Sequence, residues 1–198
     1  MAPKPDVSEE RKDQILEAAT RVFTQRGVDD ARMDDIVAES GLSKGAIYWY
    51  FDSKDAIIIA ILDQMFTREL AHGRELLEAD LPAKEKLLML TRFAVEDIEK
   101  MQPLMPILFE YWSLLLRREK VKQVLNKYYK SFLEVMVPII EHGIDLGEFR
   151  QVDAATVAIA IGAVFEGTIV LWGAAPEVVD LGKHIQAGVR LVVEGIEV

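Results

Sequence analysis

Residues 41–54 read GLSKGAIYWYFDSK, and this stretch decides how the chain folds. A short amphipathic segment, about Met33–Ser40, precedes it, and Gly41 supplies a turn before a second short helix that Ser43 can cap. Two short helices joined by a tight turn form a helix-turn-helix, which presents its second helix to the major groove of DNA. The sequence therefore predicts a DNA-reading helix that runs through Tyr50.

Three consecutive aromatic residues, Tyr48, Trp49 and Tyr50, stand in this second helix. Successive side chains on a helix are turned by about 100°, so the three cannot all face one core. At least one of them must be exposed, and an exposed aromatic side chain indicates a contact surface. Ile47 and Phe51, four residues apart, are the better candidates for the core.

Polar and small residues around the aromatics complete the expected interface. Ser43 and Lys44 lie at the start of the helix, where they can donate to a phosphate or a base edge. Gly45 removes side-chain bulk where the backbone would approach DNA closely. Lys54, at the start of the following helix, can meet a phosphate.

The N-terminal portion, from about Arg11 to Met65, resembles the DNA-binding domain of TetR-family transcriptional regulators. The resemblance rests on Ile15-x-x-Ala18-Ala19-x-x-x-Phe23-x-x-x-Gly27, on Asp35-Ile36-Val37 and on the stretch 41–54. The family usually places Thr or Ser where this chain has Arg32, so we expect a guanidinium contact to phosphate there and a helix cap from elsewhere. The resulting set of expected DNA contacts is Arg32, Ser43, Lys44, Gly45, Ala46, Tyr48, Trp49, Tyr50 and Lys54.

Helical periodicity continues beyond this motif and predicts an all-α chain. Ser8 and Ser53 are expected to cap the first and fourth helices, and further helices are predicted at roughly 83–100, 103–118, 119–142, 154–173 and 178–196. Pro138 is expected to kink or end its helix. The resemblance implies a three-helix DNA-binding domain at 1–52 and a ligand-sensing and dimerisation domain at 53–198, linked by the helix from 53.

Aromatic and methionine side chains are concentrated in the C-terminal portion. Met105, Phe109 and Trp112 fall on one helical stripe, which is more typical of a core than of a ligand site, although such side chains also suit an adaptable apolar pocket. We expect a pocket between the helices 103–118, 119–142 and 154–173 that takes an apolar or amphipathic small molecule. The candidate ligand-binding residues are Met105, Phe109, Trp112, Tyr128, Phe132, Phe165, Glu166 and Trp172.

The segment Val157–Ala175 is almost continuously apolar, which is typical of a buried interface helix or of a membrane span. Glu166 in its middle, three glycines and the lack of flanking basic clusters favour an interface, and the resemblance implies a homodimer through the last two helices, with no membrane. Glu166 itself either bonds across the dimer or reaches solvent, or it recognises a cationic or hydrogen-bonding ligand with Trp112 or Trp172 as a cation–π face.

Composition limits the other classes of function. The chain has no cysteine, which excludes a disulfide scaffold, a thiolate zinc site and a cysteine nucleophile. Its three histidines, His72, His142 and His184, are far apart, and no phosphate loop or nucleophile elbow is present, so we expect no metal, no cofactor and no catalysis. The opening residues lack an apolar stretch, which favours the cytoplasm.

The negative net charge of the chain argues against DNA binding. The net charge is −10, and residues 1–55 hold 8 Lys or Arg against 12 Asp or Glu. A binding face must therefore gather the basic residues, with Asp29, Asp30, Asp34, Asp35 and Glu39 mostly off it. Two rival hypotheses follow: a helical small-molecule carrier whose helix-turn-helix no longer binds DNA, and a small helical enzyme that uses Glu166 with a tyrosine.

Overall fold

The structure, a computed structural model, describes residues 7–100, 102, 105, 107–109 and 119–198, without the side chains of 7, 66, 68–72, 74 and 120. It is 79% helical and has no strand among these residues, which confirms the all-α prediction. The named helices are α1 (Val7–Arg26), α2 (Met33–Ser40), α3 (Lys44–Tyr50), α4 (Lys54–Leu77), α5 (Ala83–Lys100), α6 (Glu119–Asp145), α7 (Ala154–Ala174) and α8 (Leu181–Glu194).

The chain divides into two compact units. The first unit comprises the described residues of Met1–Met65 and Met101–Asn126, and the second comprises those of Phe66–Lys100 and Lys127–Val198. The predicted domain boundary after residue 52 falls inside the first unit and stays a prediction.

In the first unit, α1 packs on α2. Ile15 and Phe23 are fully buried because the apolar residues of α1 recur at helical spacing. The polar contacts of this pair are hydrogen bonds from Gln14 to the Ser40 carbonyl at 2.8 Å and from Arg21 to Glu39 at 2.6 Å. The predicted cap at Ser8 is wrong, since α1 begins at Val7 and Ser8 lies within its first turn.

The turn between α2 and α3 has the predicted geometry. Gly41 adopts a φ of 69°, the left-handed region in which glycine carries no steric penalty. The Ser43 hydroxyl accepts a hydrogen bond from the Ala46 amide at 3.2 Å and so caps α3. Ile47 is 0% exposed and Phe51 is 6% exposed, as expected, and together they fix the face that α3 turns inward.

The helix boundaries of the second unit differ from the predictions at two places. Helix α6 continues through Pro138 to Asp145 rather than ending at 142, because Pro138 is exposed and the carbonyl that it leaves without an amide partner can be hydrated. Helix α8 begins at Leu181 instead of 178, because the Asp180 carboxylate accepts a hydrogen bond from the Lys183 amide at 2.8 Å and caps it there.

Helices α5 and α7 both pack against α8. Gly188 of α8 allows the approach of α7, since a Cβ at this position would lie 2.7 Å from Val164 Cγ1. Helix α7 is long and apolar enough to cross a membrane by length and composition, with a mean hydropathy of 2.0. Its buried face includes Val157, Ala158 and Ile161, and its opposite face is largely apolar and exposed.

Candidate DNA-binding surface and ligand cavity

Helix α3 presents two aromatic side chains to solvent. Trp49 is 74% exposed and Tyr48 is 44% exposed, while Tyr50 is half-buried and meets the Trp49 ring edge-on at a centroid distance of 4.6 Å. A folded protein gains no stability from leaving a tryptophan in water, so this pair indicates a surface that contacts another molecule.

Lys44, the cation of helix α3, forms an ion pair with an acidic residue of helix α2. Its Nζ lies 2.7 Å from Asp34 Oδ1, and both side chains are exposed. The hydrogen bond from Lys44 to Asp34 and the charge of that carboxylate raise the pKa of Lys44. The expectation that Asp34 would lie off the basic face is therefore wrong, because Asp34 directly neutralises the lysine that should meet DNA.

Two further acids of α2 are paired with cations of α1. Arg26 lies 3.1 Å from Asp35, and Arg21 lies 2.6 Å from Glu39. Each pair is neutral, so these two acids are offset by nearby cations and do not add to the excess negative charge of the N-terminal residues.

The cap of α2 comes from Asp35, which resolves the question raised by Arg32. The Asp35 carboxylate accepts a hydrogen bond from the Arg32 backbone amide at 2.9 Å, which is the acidic half of a capping box. A guanidinium has no acceptor and cannot supply the other half. The exposed Arg32 side chain has no hydrogen bond or ion pair within the described part of the chain, so it is available to a phosphate.

Lys54 makes hydrogen bonds within the protein that the sequence does not indicate. Its ammonium donates to the backbone carbonyls of Val28 at 2.5 Å, Asp29 at 3.2 Å and Ala31 at 3.2 Å. An ammonium has three donors, and all three point into the loop between α1 and α2. Lys54 thus ties this loop to the first turn of α4.

The remaining expected DNA contacts surround the aromatics. Ser43 and Gly45 are exposed, and a Cβ added at Gly45 would meet nothing within 4 Å. Ser43, Ala46, Trp49 and Tyr50 line one surface groove, together with Arg11 of α1, Gly41 and Leu42. Arg11 was not in the set of expected DNA contacts, although its charge placed it among the basic residues expected to gather on the binding face.

A second site, an apolar cavity, lies wholly within the second unit. Its free volume is about 60 Å³. Of the predicted ligand-binding residues it brings together Tyr128, Phe132, Phe165 and Glu166. The described residues of the lining are Gly73, Leu87, Leu90, Thr91, Ala94, Tyr128, Tyr129, Phe132, Val135, Met136, Ile161, Gly162, Phe165 and Glu166.

Three of the predicted residues do not join the described lining, and a fourth lies outside the described residues. Met105 and Phe109 belong to the first unit, and Trp172 is half-buried on α7 but is absent from the cavity wall. Trp112 lies outside the described residues. The structure therefore does not support a ligand-binding role for Met105 and Phe109 in this cavity. Met105 is buried.

The sequence reasoning missed Tyr129, which organises the polar part of the cavity. Its hydroxyl donates to Glu166 Oε1 at 3.2 Å. Its ring lies 5.3 Å from that of Tyr128 and 6.3 Å from that of Phe132. The i, i+3 spacing of Tyr129 and Phe132 on one helix was the available signal, because residues three apart share a face.

Glu166 is the charged group of the cavity wall among the described residues. Burial raises the pKa of its carboxyl, and the hydrogen bond from Tyr129 opposes part of this increase. The carboxyl therefore lies in an environment that penalises its ionised form, and no cation among the described lining residues relieves the penalty.

Helices α2 and α3, joined by the tight turn at Gly41, form a helix-turn-helix, the motif of a large class of DNA-binding proteins. The sequence profile described as "Bacterial regulatory proteins, tetR family" matches residues 15–61, and that described as "BetI-type transcriptional repressor, C-terminal" matches residues 82–195. The chain belongs to the TetR family of transcriptional regulators.

Similar proteins of known sequence or structure agree with this assignment. The HTH-type transcriptional regulator YfiR of Bacillus subtilis is 33% identical over 163 residues, 78% of each chain. Two solved structures share the fold at lower identity. The regulator FadR of Bacillus subtilis, in complex with stearoyl-CoA, has a TM-score of 0.78 at 23% identity and covers 93% of this chain and 99% of its own. A transcriptional regulator from Saccharomonospora viridis, in complex with choline, has a TM-score of 0.81 at 22% identity over 96% and 99%.

Proposed function

We propose that this protein is a ligand-responsive repressor that binds a palindromic operator as a homodimer and is released or engaged by a small molecule. The observation that carries the proposal is the exposure of Trp49, at 74%, beside Tyr48 on α3. The proposed activity belongs in the cytoplasm, where a bacterial regulator meets DNA.

DNA recognition would use three kinds of contact. Tyr48 and Trp49 offer apolar surface and, for Tyr48, a hydroxyl to the base edges, while Arg32 and Lys44 offer charge to phosphates. The exposed backbone at Gly45 allows close approach of α3 to the groove. Lys54 contributes by fixing the loop before α2, since its three donors are already occupied.

A second copy of the chain would cover the apolar face of α7 and the adjoining face of α8. Ile159, Val170 and Leu171 are 47%, 48% and 59% exposed, and Leu191 of α8 is 71% exposed. Small residues such as Ala163 lie within the same face and would let two helices approach closely. Two-fold symmetry then sets two α3 helices about 34 Å apart, the spacing of successive major grooves.

The cavity of the second unit supplies the proposed effector site. Its walls are mostly apolar with few polar groups, which is the chemistry of sites for apolar or amphipathic molecules. Two structural neighbours are in complex with stearoyl-CoA and choline, so this fold accommodates ligands of different size and charge. An effector would change operator affinity by the ratio of its affinities for the DNA-competent and DNA-incompetent states.

We propose that the protein represses transcription when it is bound to its operator. A dimer that covers a promoter blocks polymerase by occupying its site, and the C-terminal residues match the profile of a family of transcriptional repressors. The alternative function is that of a small-molecule carrier whose helix-turn-helix does not bind DNA. The ion pair between Lys44 and Asp34 favours this alternative, because it offsets the positive charge of α3.

The test is a selection of bound fragments from randomised DNA with the purified native protein. We expect enrichment of a palindrome by the native protein and none by Trp49→Ala. Leu146→Ala is the matched control, since Leu146 is 62% exposed and lies in the second unit. A folded dimer that enriches no sequence, with or without cell extract as a source of co-repressor, would favour the carrier.

A further inference from the structure

The described wall of the cavity carries negative charge only. Among the described residues that line it, Glu166 is the charged side chain, and no Lys, Arg or His accompanies it. Thr91, another polar group of the wall, already donates its hydroxyl to the Leu87 carbonyl at 2.8 Å. Within the described part of the wall, a ligand therefore meets a single acidic group against a mostly apolar surface.

The Glu166 carboxylate has unused capacity to accept hydrogen bonds. Its hydrogen bond within the described chain comes from Tyr129, at 3.2 Å, which is long for a phenol that donates to an ionised carboxylate. An ionised carboxylate offers about four lone-pair positions, so most of them remain for a ligand. Burial raises the pKa of this carboxyl, because desolvation disfavours its charged form.

The aromatic rings beside Glu166 suit a cation and disfavour an anion. Tyr128, Tyr129 and Phe132 all line the cavity, and their ring centroids lie 5.3 to 6.3 Å from one another. The faces of aromatic rings are negative and attract ammonium groups, most strongly where water is excluded. Rings and carboxylate thus favour the same sign of charge.

We propose that the effector of this cavity is a lipophilic cation, whose ammonium group contacts the Glu166 carboxylate and the rings of Tyr128, Tyr129 and Phe132. The proposal rests on the function proposed above and adds the chemical class of the effector. The free volume of about 60 Å³ has room for roughly four water-sized atoms, which matches a small head group. A larger apolar body would enter by displacing flexible side chains such as Met136, which also lines the wall.

The test compares three compounds of similar shape and different charge by calorimetry on the native homodimer at pH 8. The cation is benzyltrimethylammonium, its neutral isostere is neopentylbenzene, and the anion is 3-phenylpropanoate. We expect the cation to bind at least about tenfold more tightly than the isostere, as a desolvated contact of a cation with a carboxylate and aromatic rings implies.

Three variants locate the source of this preference. Glu166→Gln should remove the preference for the cation and keep the affinity for the neutral isostere. Tyr129→Phe keeps the ring and frees the carboxylate, so it should retain the preference. Glu134→Gln removes an exposed acid of α6 and should behave like the native protein.

The outcomes separate this proposal from the function on which it rests. Equal affinity for cation and isostere, or tighter binding of the anion, overturns the cationic effector while leaving the cavity as an effector site. Binding of none of the three compounds by a folded dimer counts against the cavity itself. A change in the dimer dissociation constant of Glu166→Gln, with the ligand preference intact, assigns Glu166 to the interface instead.

Discussion

Lys44 Nζ lies 2.7 Å from Asp34 Oδ1, so the cation of the recognition helix is paired with an acid of the helix before it. A contact of Lys44 with a phosphate, as proposed, would break or share this pair, because the phosphate and Asp34 compete for one ammonium. The pair is fully exposed to solvent and therefore weak, which makes it a restraint on affinity rather than a block.

Asp34→Asn should strengthen DNA binding. The substitution frees Lys44 and removes a carboxylate that repels phosphate, so we expect operator affinity to increase about two- to fivefold, the range that exposed ion pairs support. Fluorescence anisotropy with a labelled operator measures this. Glu17→Gln, which removes one exposed acid from α1, is the control for net charge. An unchanged or lower affinity in Asp34→Asn would show that Lys44 does not contact DNA.

Lys54→Met should act through the loop between α1 and α2. Removal of the ammonium leaves the carbonyls of Val28, Asp29 and Ala31 without this donor, and we expect a loss of about 1–3 kcal/mol in the free energy of unfolding. Thermal unfolding followed by circular dichroism measures it.

The salt dependence of DNA binding distinguishes this role from a phosphate contact. A lost phosphate contact lowers the slope of log K against log salt by about 0.9. We expect a reduced affinity with an unchanged slope for Lys54→Met, since its donors are occupied by the loop. A shallower slope with unchanged stability would establish the phosphate contact instead.

Leu171→Glu should dissociate the homodimer. Leu171 is 59% exposed on the apolar face of α7, and a carboxylate there would be buried by the second copy. Leu146→Glu is a close control, since Leu146 is 62% exposed and lies after the end of α6. Sedimentation velocity should show monomer for the first variant and dimer for the second. Dimers for both would place the interface elsewhere.

Glu166→Gln should change the pH dependence of stability. The folded chain holds the Glu166 proton to a higher pH than the unfolded chain does, because burial raises the pKa of this carboxyl. The native stability therefore decreases as the pH rises from about 4.3, the unperturbed glutamate value, through the raised pKa. The glutamine variant lacks this loss, so its Tm relative to the native protein should be higher at pH 8 than at pH 4. A Tm difference that does not vary with pH would contradict the buried carboxylate.

The geometry of α3 was largely predictable because its determinants are local. A glycine turn, the Ser43 cap and three consecutive aromatics specify α3 within about ten residues, and helical geometry alone requires an exposed aromatic. The partners of Lys44 and Lys54 were not predictable, since they come from residues 10 and 23–26 positions earlier in the chain. Such pairings depend on how α1, α2 and α4 pack.

The chemical character of the cavity could be predicted from the sequence, but the identity of the residues that line it could not. Aromatic density indicated an apolar site, and a ligand contact was one of the alternatives for Glu166. The choice of Tyr129 over Trp172 depends on the rotation of α6 and α7 about their axes. Helix ends were missed where a side chain decides them, as Asp180 does for α8. Periodicity alone carries no information on which acid in a loop will form the cap.

The affinity of the Trp49→Ala variant for the selected operator and for a scrambled duplex of equal length tests the central claim most directly. Trp49 is largely exposed, so its truncation should leave the Tm and the dimer nearly unchanged. The account predicts that Trp49→Ala binds both duplexes with the same weak affinity, whereas the native protein and Leu146→Ala prefer the operator. Retention of the full operator preference by Trp49→Ala would show that α3 does not read DNA through its exposed aromatics.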